Sequence, residues 1–420
     1  MDCRRQRRTR AVIALWTAVA LLTMVSCDDD EQTSDPASTE ATAEADQTRG
    51  AGAETSIEAA ALGCLPLDPS GWSRADDRLT LDPVALAAND DAIVATSRLG
   101  SQLRFRYSVD GLNWATPTST PDVLLGRSEH AVAGGPAGFV AVATTGWGGP
   151  VVVFSRDGTR WEQIDSASLP TAEVAWLTGV FAGQEGFVIV GGAPADQDFA
   201  SFVWFSDDGR EWTDTGLSAR SAAVTATESG WVMLGLEYPD PVSMSTSDAF
   251  MRWVDETSTV RVWSSEDGRQ WTEVETETSP PGRALLSYMW TAPLTVVDGA
   301  WVLALNGATD DSLGPGSPTV WVSTDEGATW SEHRVWIEPD EPGFQIHDTA
   351  VIESGLLLAG YQDKPDTAGV EFVHYSSDGM TWQHCWMTDP LELVAMETFG
   401  DALVAVTGTG TVYVWSESNP

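Results

Sequence analysis

Seven times along the chain an apolar run meets a short turn bearing Gly, Asp or Ser and resumes as a second apolar run, at 88–94, 134–140, 182–188, 227–232, 297–302, 353–357 and 399–404. Enrichment in β-branched and aromatic residues makes each pair a strand, a tight turn and a strand. A third run of alternating type follows, as in Phe202-Val203-Trp204-Phe205-Ser206. Six of the seven units continue with Ser, an Asp-Gly or Asp-x-Gly step, and a Trp where a fourth strand begins. The aspartates of these steps, Asp110, Asp157, Asp208, Asp267, Asp325 and Asp378, lie 47, 51, 59, 58 and 53 residues apart. Four strands per unit at that period predict an all-β fold of blades set around an axis.

The two ends fix the number of blades. The seventh unit runs through Thr411 to Trp415 and reaches Asn419 where the others carry Asp, so its fourth strand is missing. Gly71-Trp72-Ser73-Arg74, ahead of the first complete unit, reads as the start of such a strand. The expected architecture is a seven-bladed β-propeller of four-stranded blades, the last completed by an N-terminal strand that pairs an otherwise open edge. Where Asp and Gly are adjacent, the step is the signal of a two-residue hairpin, with Gly at positive φ and Asp bonding nearby amides. The Trp is expected to pack on its blade and to need a partner for its indole N–H.

From about 65 to 420 these units resemble Asp-box (BNR) repeats, although only Ser323 to Trp330 has the full S-x-D-x-G-x-x-W form. That family includes sialidases, sortilin-type receptors, xyloglucanases and photosystem II assembly factors, all propellers. The resemblance implies that the six aspartates are structural and lie on the rim opposite the ligand face. Function in such rings sits at the mouth of the central channel. Sialidases of the family use an Arg-Ile-Pro segment, three Args on the substrate carboxylate, a Tyr–Glu nucleophile pair and an Asp acid/base, on six blades. No Arg-Ile-Pro occurs here, and Tyr107, Tyr375 and Tyr413 fall in third strands as packing residues. The leading expectation is therefore a binding or scaffold module for a glycan or protein partner at the propeller mouth, without catalysis. The alternatives are a divergent sialidase-like glycoside hydrolase and an assembly factor for a membrane complex.

The N-terminus adds a location. Arg4, Arg5, Arg7, Arg8 and Arg10 precede an apolar run from Ala11 to Val25, the pattern of an export signal over 1–26. Met24-Val25-Ser26-Cys27 resembles a bacterial lipobox, which makes Cys27 the expected lipid anchor to the outer face of the cell membrane, or else the protein is secreted. Residues 27–63, rich in Asp, Glu, Ser, Thr and Ala, read as a disordered acidic tether ahead of a folded body at 64–420. Cys64 and Cys385 flank the repeats and, in an oxidising compartment, form a disulfide tying the two ends of the array or remain as two thiols.

Charge narrows the partners. The chain carries 62 acidic and 22 basic residues, net −40, with Lys364 the only lysine. Loss of 1–26 takes away five Arg and one Asp and leaves about −44. Such a field repels nucleic acid and anionic lipid, and a monomer soluble in a salty exterior is the simplest reading.

Candidate ligand-binding residues follow from the mouth. Arg127, Arg220 and Arg283 precede the first strands of three blades, and His130, His347 and Tyr288 occupy comparable segments. In a chain so poor in cations they form a candidate anion-binding cluster, unless each pairs locally, as Arg127 would with Glu129. The long connection 237–259, with Trp253, is a candidate binding loop. No Cys/His cluster, Gly-rich phosphate loop or nucleophile elbow is present, so neither metal nor cofactor is expected, and no catalytic residue can be named.

Overall fold

The computed structural model describes residues 62–63, 71–79, 84–145, 149–170, 176–194, 199–218, 220–237, 259–280, 294–305, 308–309, 312–315, 319–335, 344–362, 370–387 and 393–416. The signal, the lipobox cysteine, the expected tether as far as residue 61, Cys64, Arg283, Tyr288 and Trp253 lie outside them; the last two residues assigned to the tether, Leu62 and Gly63, belong to the folded body.

Of the eight antiparallel sheets among the described residues, seven set their strands in blade order, so the chain is a seven-bladed β-propeller; the eighth is a two-stranded ladder of Ala308–Thr309 with Ser312–Pro315 between the second and third strands of blade 5. Second strands carry apolar runs buried on both faces, as in Phe139 to Ala143 and Leu356 to Ala359, while that of blade 1 adds the buried Thr96 and Ser97. That pattern arises because each sheet is covered by a neighbour on both sides. The buried residues sort into seven clusters, and each cluster joins two consecutive blades. The seventh joins blade 7 to blade 1, through Val404 and Val414 on one side and Ile93 and Ala95 on the other. The ring is thus closed by its core.

Closure uses the N-terminal strand. Trp72–Arg78 pairs antiparallel with Thr411–Ser416, placing Trp72 opposite Trp415 and Ser73 opposite Val414. One strand was not foreseen: Leu62–Gly63 adds a fifth strand to blade 6, pairing with Gln383–Met387 in the register Leu62 to Met387 and Gly63 to Trp386. Cys385, buried on the strand it joins, is disulfide-bonded.

Two expectations need correction. Blade 1 has three full strands, and its fourth is a single bridge between Tyr107 and Ala115. The Asp-Gly steps are not two-residue hairpins: the ladder of blade 3 stops at Phe205 opposite Thr213, leaving seven residues in the turn. Among the turn residues only the Gly adopts positive φ in the short form, whereas a two-residue primed turn needs it at both central positions or at the first. The longer turn of blade 5 adds Glu326 at φ 56.

Candidate functional site

The six Ser-to-Trp turns are built as clamps between blades. In blade 1 the Asp110 carboxylate accepts from the Ser108 hydroxyl at 2.9 Å and from the main-chain N–H groups of Leu112 and Asn113 at 2.9 and 2.7 Å. Asp208, Asp267 and Asp378 accept from the two corresponding amides, Asp157 from Thr159, and Asp325 from Thr329. Burial would raise the carboxyls of Asp110, Asp157 and Asp208, and these donors outweigh it, so all three lie below the ordinary range. Hydrogen bonds lead outright at Asp267, Asp325 and Asp378, from Gln270, Thr329 and Thr381 respectively.

The glycine and the tryptophan of each turn face the preceding blade. A Cβ at Gly209 would stand 2.6 Å from Phe154 and 2.8 Å from Val140 of blade 2; at Gly379 it would stand 2.6 Å from Val302 of blade 5. Trp114, Trp161, Trp212 and Trp330 are buried in the seam with the previous blade, and Trp271 and Trp382 pack against theirs. The indoles of Trp114, Trp161, Trp271 and Trp330 donate to their own turn's glycine carbonyl at 2.7 to 3.1 Å. Trp212 and Trp382 make no such bond among the described residues and are held by packing. In blades 3 and 4 the residue after the glycine strengthens the same grip. Arg210 pairs with Glu162 at 2.6 Å and lies 4.1 Å from the Phe154 ring, and Arg269 pairs with Asp207 beside Phe205. The turn residues therefore pack consecutive blades together.

The opposite face carries the loops that lead into each blade and those joining second to third strands. The first strands of five blades slip register at this end, between Leu125 and His130, Leu177 and Gly179, Arg220 and Ala223, Ile346 and Asp348, and Leu393 and Ala395. Arg127 and His347 occupy such slips and Arg220 borders one, so the three sit at matching places in blades 2, 6 and 4. His347 is exposed. Backbone position alone is described for Arg127 and Arg220, and the 237–259 connection joins the paired ends Glu237 and Thr259 of blade 4. On the strands of blade 4, a groove of about 430 Å³ is lined by Arg261, Glu273 and Glu275 among others, with Arg261 neutralised by Glu237 at 2.8 Å and by Glu273 at 2.5 Å.

Two features were missed by sequence reasoning. The first is an acid pair on the innermost strands. Asp348, in Phe344–Ile352 of blade 6, accepts the main-chain N–H of Met396, in Leu393–Phe399 of blade 7, at 2.5 Å and that of Thr349 at 2.8 Å. Glu397 accepts from Thr398 at 3.0 Å. Burial, and then the nearby Asp348 charge, push Glu397 up to about 8; burial pushes Asp348 up to about 6 against its two amide donors. The second is Arg98, at the seam of blades 1 and 2 beside the candidate His130, where the ladder of Leu125–Gly135 resumes after its slip. Burial leads in lowering the His130 pKa and Arg98 adds to it, while the Thr96 main chain opposes them.

Residues 80–254 match the model of a family described as the DUF6242 beta propeller domain. No curated protein matches the chain. Solved structures that it resembles include YCF48 bound to a D1 peptide, at 15% identity over 85% of this chain and 98% of that one, with a TM-score of 0.49. A six-bladed fucose-recognising lectin of Aleuria aurantia shares 8% identity over 73% and 96% of the two chains, TM-score 0.40. A Trypanosoma rangeli sialidase mutant displaying trans-sialidase activity shares 13% identity over 85% and 59%, TM-score 0.41. The family match, which spans blades 1 to 3 and part of blade 4, agrees with the strand order throughout the ring: the chain is a β-propeller protein, seven blades of antiparallel strands.

Proposed function

We propose that the protein is an exported Asp-box propeller, lipid-anchored through Cys27 and held off the membrane by a tether over 28–61, that binds a protein or glycan at its mouth face. The observation that carries the binding reading is the tip of blade 1, where Leu99 and Leu124 are 58% and 56% exposed beside Arg98, on the face opposite the clamping turns. Export is supported by the disulfide at Cys385, since such bonds persist in oxidising compartments. Cys64 is the partner we assign, because Gly63 pairs with Trp386 and each cysteine is the next residue inward.

A second reading, a divergent glycoside hydrolase, has one observation in its favour: Asp348 and Glu397 are two carboxyls held at different protonation, the requirement for acid/base work on a sugar. Against it, both Asp348 oxygens accept main-chain amides, which is the geometry of a seam residue. Glycan-array binding with a parallel assay for sugar release separates the two. Binding without release is expected. Release abolished by Arg220→Ala or Glu397→Gln would replace the binding reading with the hydrolase.

A further inference from the structure

At the mouth-side seam of blades 1 and 2 the chain leading into blade 2 lies on the blade 1 hairpin tip. Leu125 donates its N–H to the Ser101 carbonyl at 2.6 Å, Leu103 to Val123 at 3.2 Å, and Leu124 bridges to Gln102. Two guanidiniums flank this tip. Arg98 Nε donates to the Gly100 carbonyl at 2.6 Å, and Arg104 is bonded to Gln102, whose amide reaches Asp122 at 3.0 Å. Neither arginine has an ion pair among the described residues. Between Asp91 and Asp110 the sequence holds three arginines and no acid, in a chain of net −40. Leu99 and Leu124 stand exposed between these charges.

We propose that this tip, with Arg98, Arg104, Leu99 and Leu124, is a docking site for a peptide segment that alternates acidic and aliphatic side chains. The inference rests on the binding reading above and chooses a partner for it. A carboxylate suits a guanidinium that has no ion pair among the described residues, and it would find repulsion over most of the surrounding surface. The apolar contacts are aliphatic, which favours Leu or Val side chains over the ring of a sugar, for which an aromatic platform serves better. Asp122, held by Gln102, is an acid at the tip, and it sets register by repelling a second carboxylate there. His130 is a reporter rather than a contact. Its Nε2 is buried without a hydrogen-bond partner and its ring feels the Arg98 charge, so a carboxylate on Arg98 shifts its titration upward.

The test is a methyl and imidazole NMR titration of the full mature chain with acetyl-Leu-Glu-Leu-Glu-Leu-amide, its Gln counterpart and glucuronate. Saturable shifts of the Leu99 and Leu124 methyls with the acidic peptide, a raised His130 midpoint, and about tenfold weaker binding in Arg98→Gln would support the site. Equal response to the Gln peptide, binding unchanged in Arg98→Gln, or response to glucuronate alone would overturn it. Glycan-array or partner binding that survives Arg98→Gln would sink this site and leave the binding reading standing. Failure of both would sink both.

Discussion

The Asp348 carboxylate of blade 6 receives the Met396 main-chain N–H of blade 7 at 2.5 Å, a bond between the innermost strands of the two blades. Thr398 returns a bond from blade 7 to the Val351 carbonyl of blade 6 at 2.5 Å. Burial in this seam pushes Glu397 up to about 8, and the consequence is a pH dependence opposite to that of ordinary carboxylates.

Because the folded pKa of Glu397 is raised, its contribution is full below the ordinary glutamate value and is lost as pH rises toward about 8. His347, on the same strand as Asp348, opposes part of the effect on that residue. Glu397→Gln should flatten the decline between pH 5 and 8 and leave the variant more stable at pH 8 by about 1–2 kcal/mol. Urea midpoints at the two pH values decide it, and parallel slopes in both proteins would refute a protonated Glu397.

His374 acts from the acid side. Buried in blade 6 and beside His384, with ring centroids 5.0 Å apart, it is pushed down to about 3, by burial first and by His384 second. A lowered histidine leaves the unfolded chain binding more protons, so stability falls as pH drops below about 6.5. His374→Gln should keep its melting temperature more nearly constant between pH 6.5 and 4 than the parent does.

The clamping role of the turns predicts a contrast between two glycines of equal φ. Gly209 at φ 73 has Phe154 in the way of a Cβ, whereas Gly216 at φ 74 has nothing within 4 Å. Gly216→Ala should cost about 1 kcal/mol for the left-handed backbone alone. Gly209→Ala adds a clash in the seam of blades 2 and 3 and should cost about 2–4 kcal/mol by denaturant titration. Equal costs would show that the turn does not grip its neighbour.

Removing the disulfide should loosen the junction of Leu62–Gly63 with blade 6. Cys64→Ser is expected to free the Cys385 thiol for alkylation without reductant and to lower stability by about 2–4 kcal/mol. Intact mass after alkylation settles the pairing: an unmodified Cys385 in that variant would point to a different partner.

Blade number and ring closure were legible because both rest on features local in sequence. Each hairpin and each Asp-Gly-x-x-Trp step is complete within a few residues, and the mismatch at Asn419 points to a strand supplied from Trp72. The grip of Gly209 on Phe154 was not legible, since it joins residues from different blades. Asp348 and Glu397 were hidden among 62 acids. They stand out only when first strands are aligned on their hairpins: four residues before the turn, Ala85, Ala131, Gly179, Ala223 and Ala395 correspond to Asp348. The Leu62–Gly63 strand has two residues and hence no periodicity to read. The matching positions of Arg127, Arg220 and His347 were found from their place ahead of each hairpin, while the Arg98 tip was passed over because it lies in a second strand.

The pairing of Trp72 with Trp415 joins residues 343 positions apart. A chain emerging N-terminus first must therefore hold its opening strand unmatched until nearly all the rest has appeared. Assembly of the ring is all-or-nothing with respect to synthesis, so a product cut short before Thr411 would display a bare strand edge that proteases and chaperones can recognise.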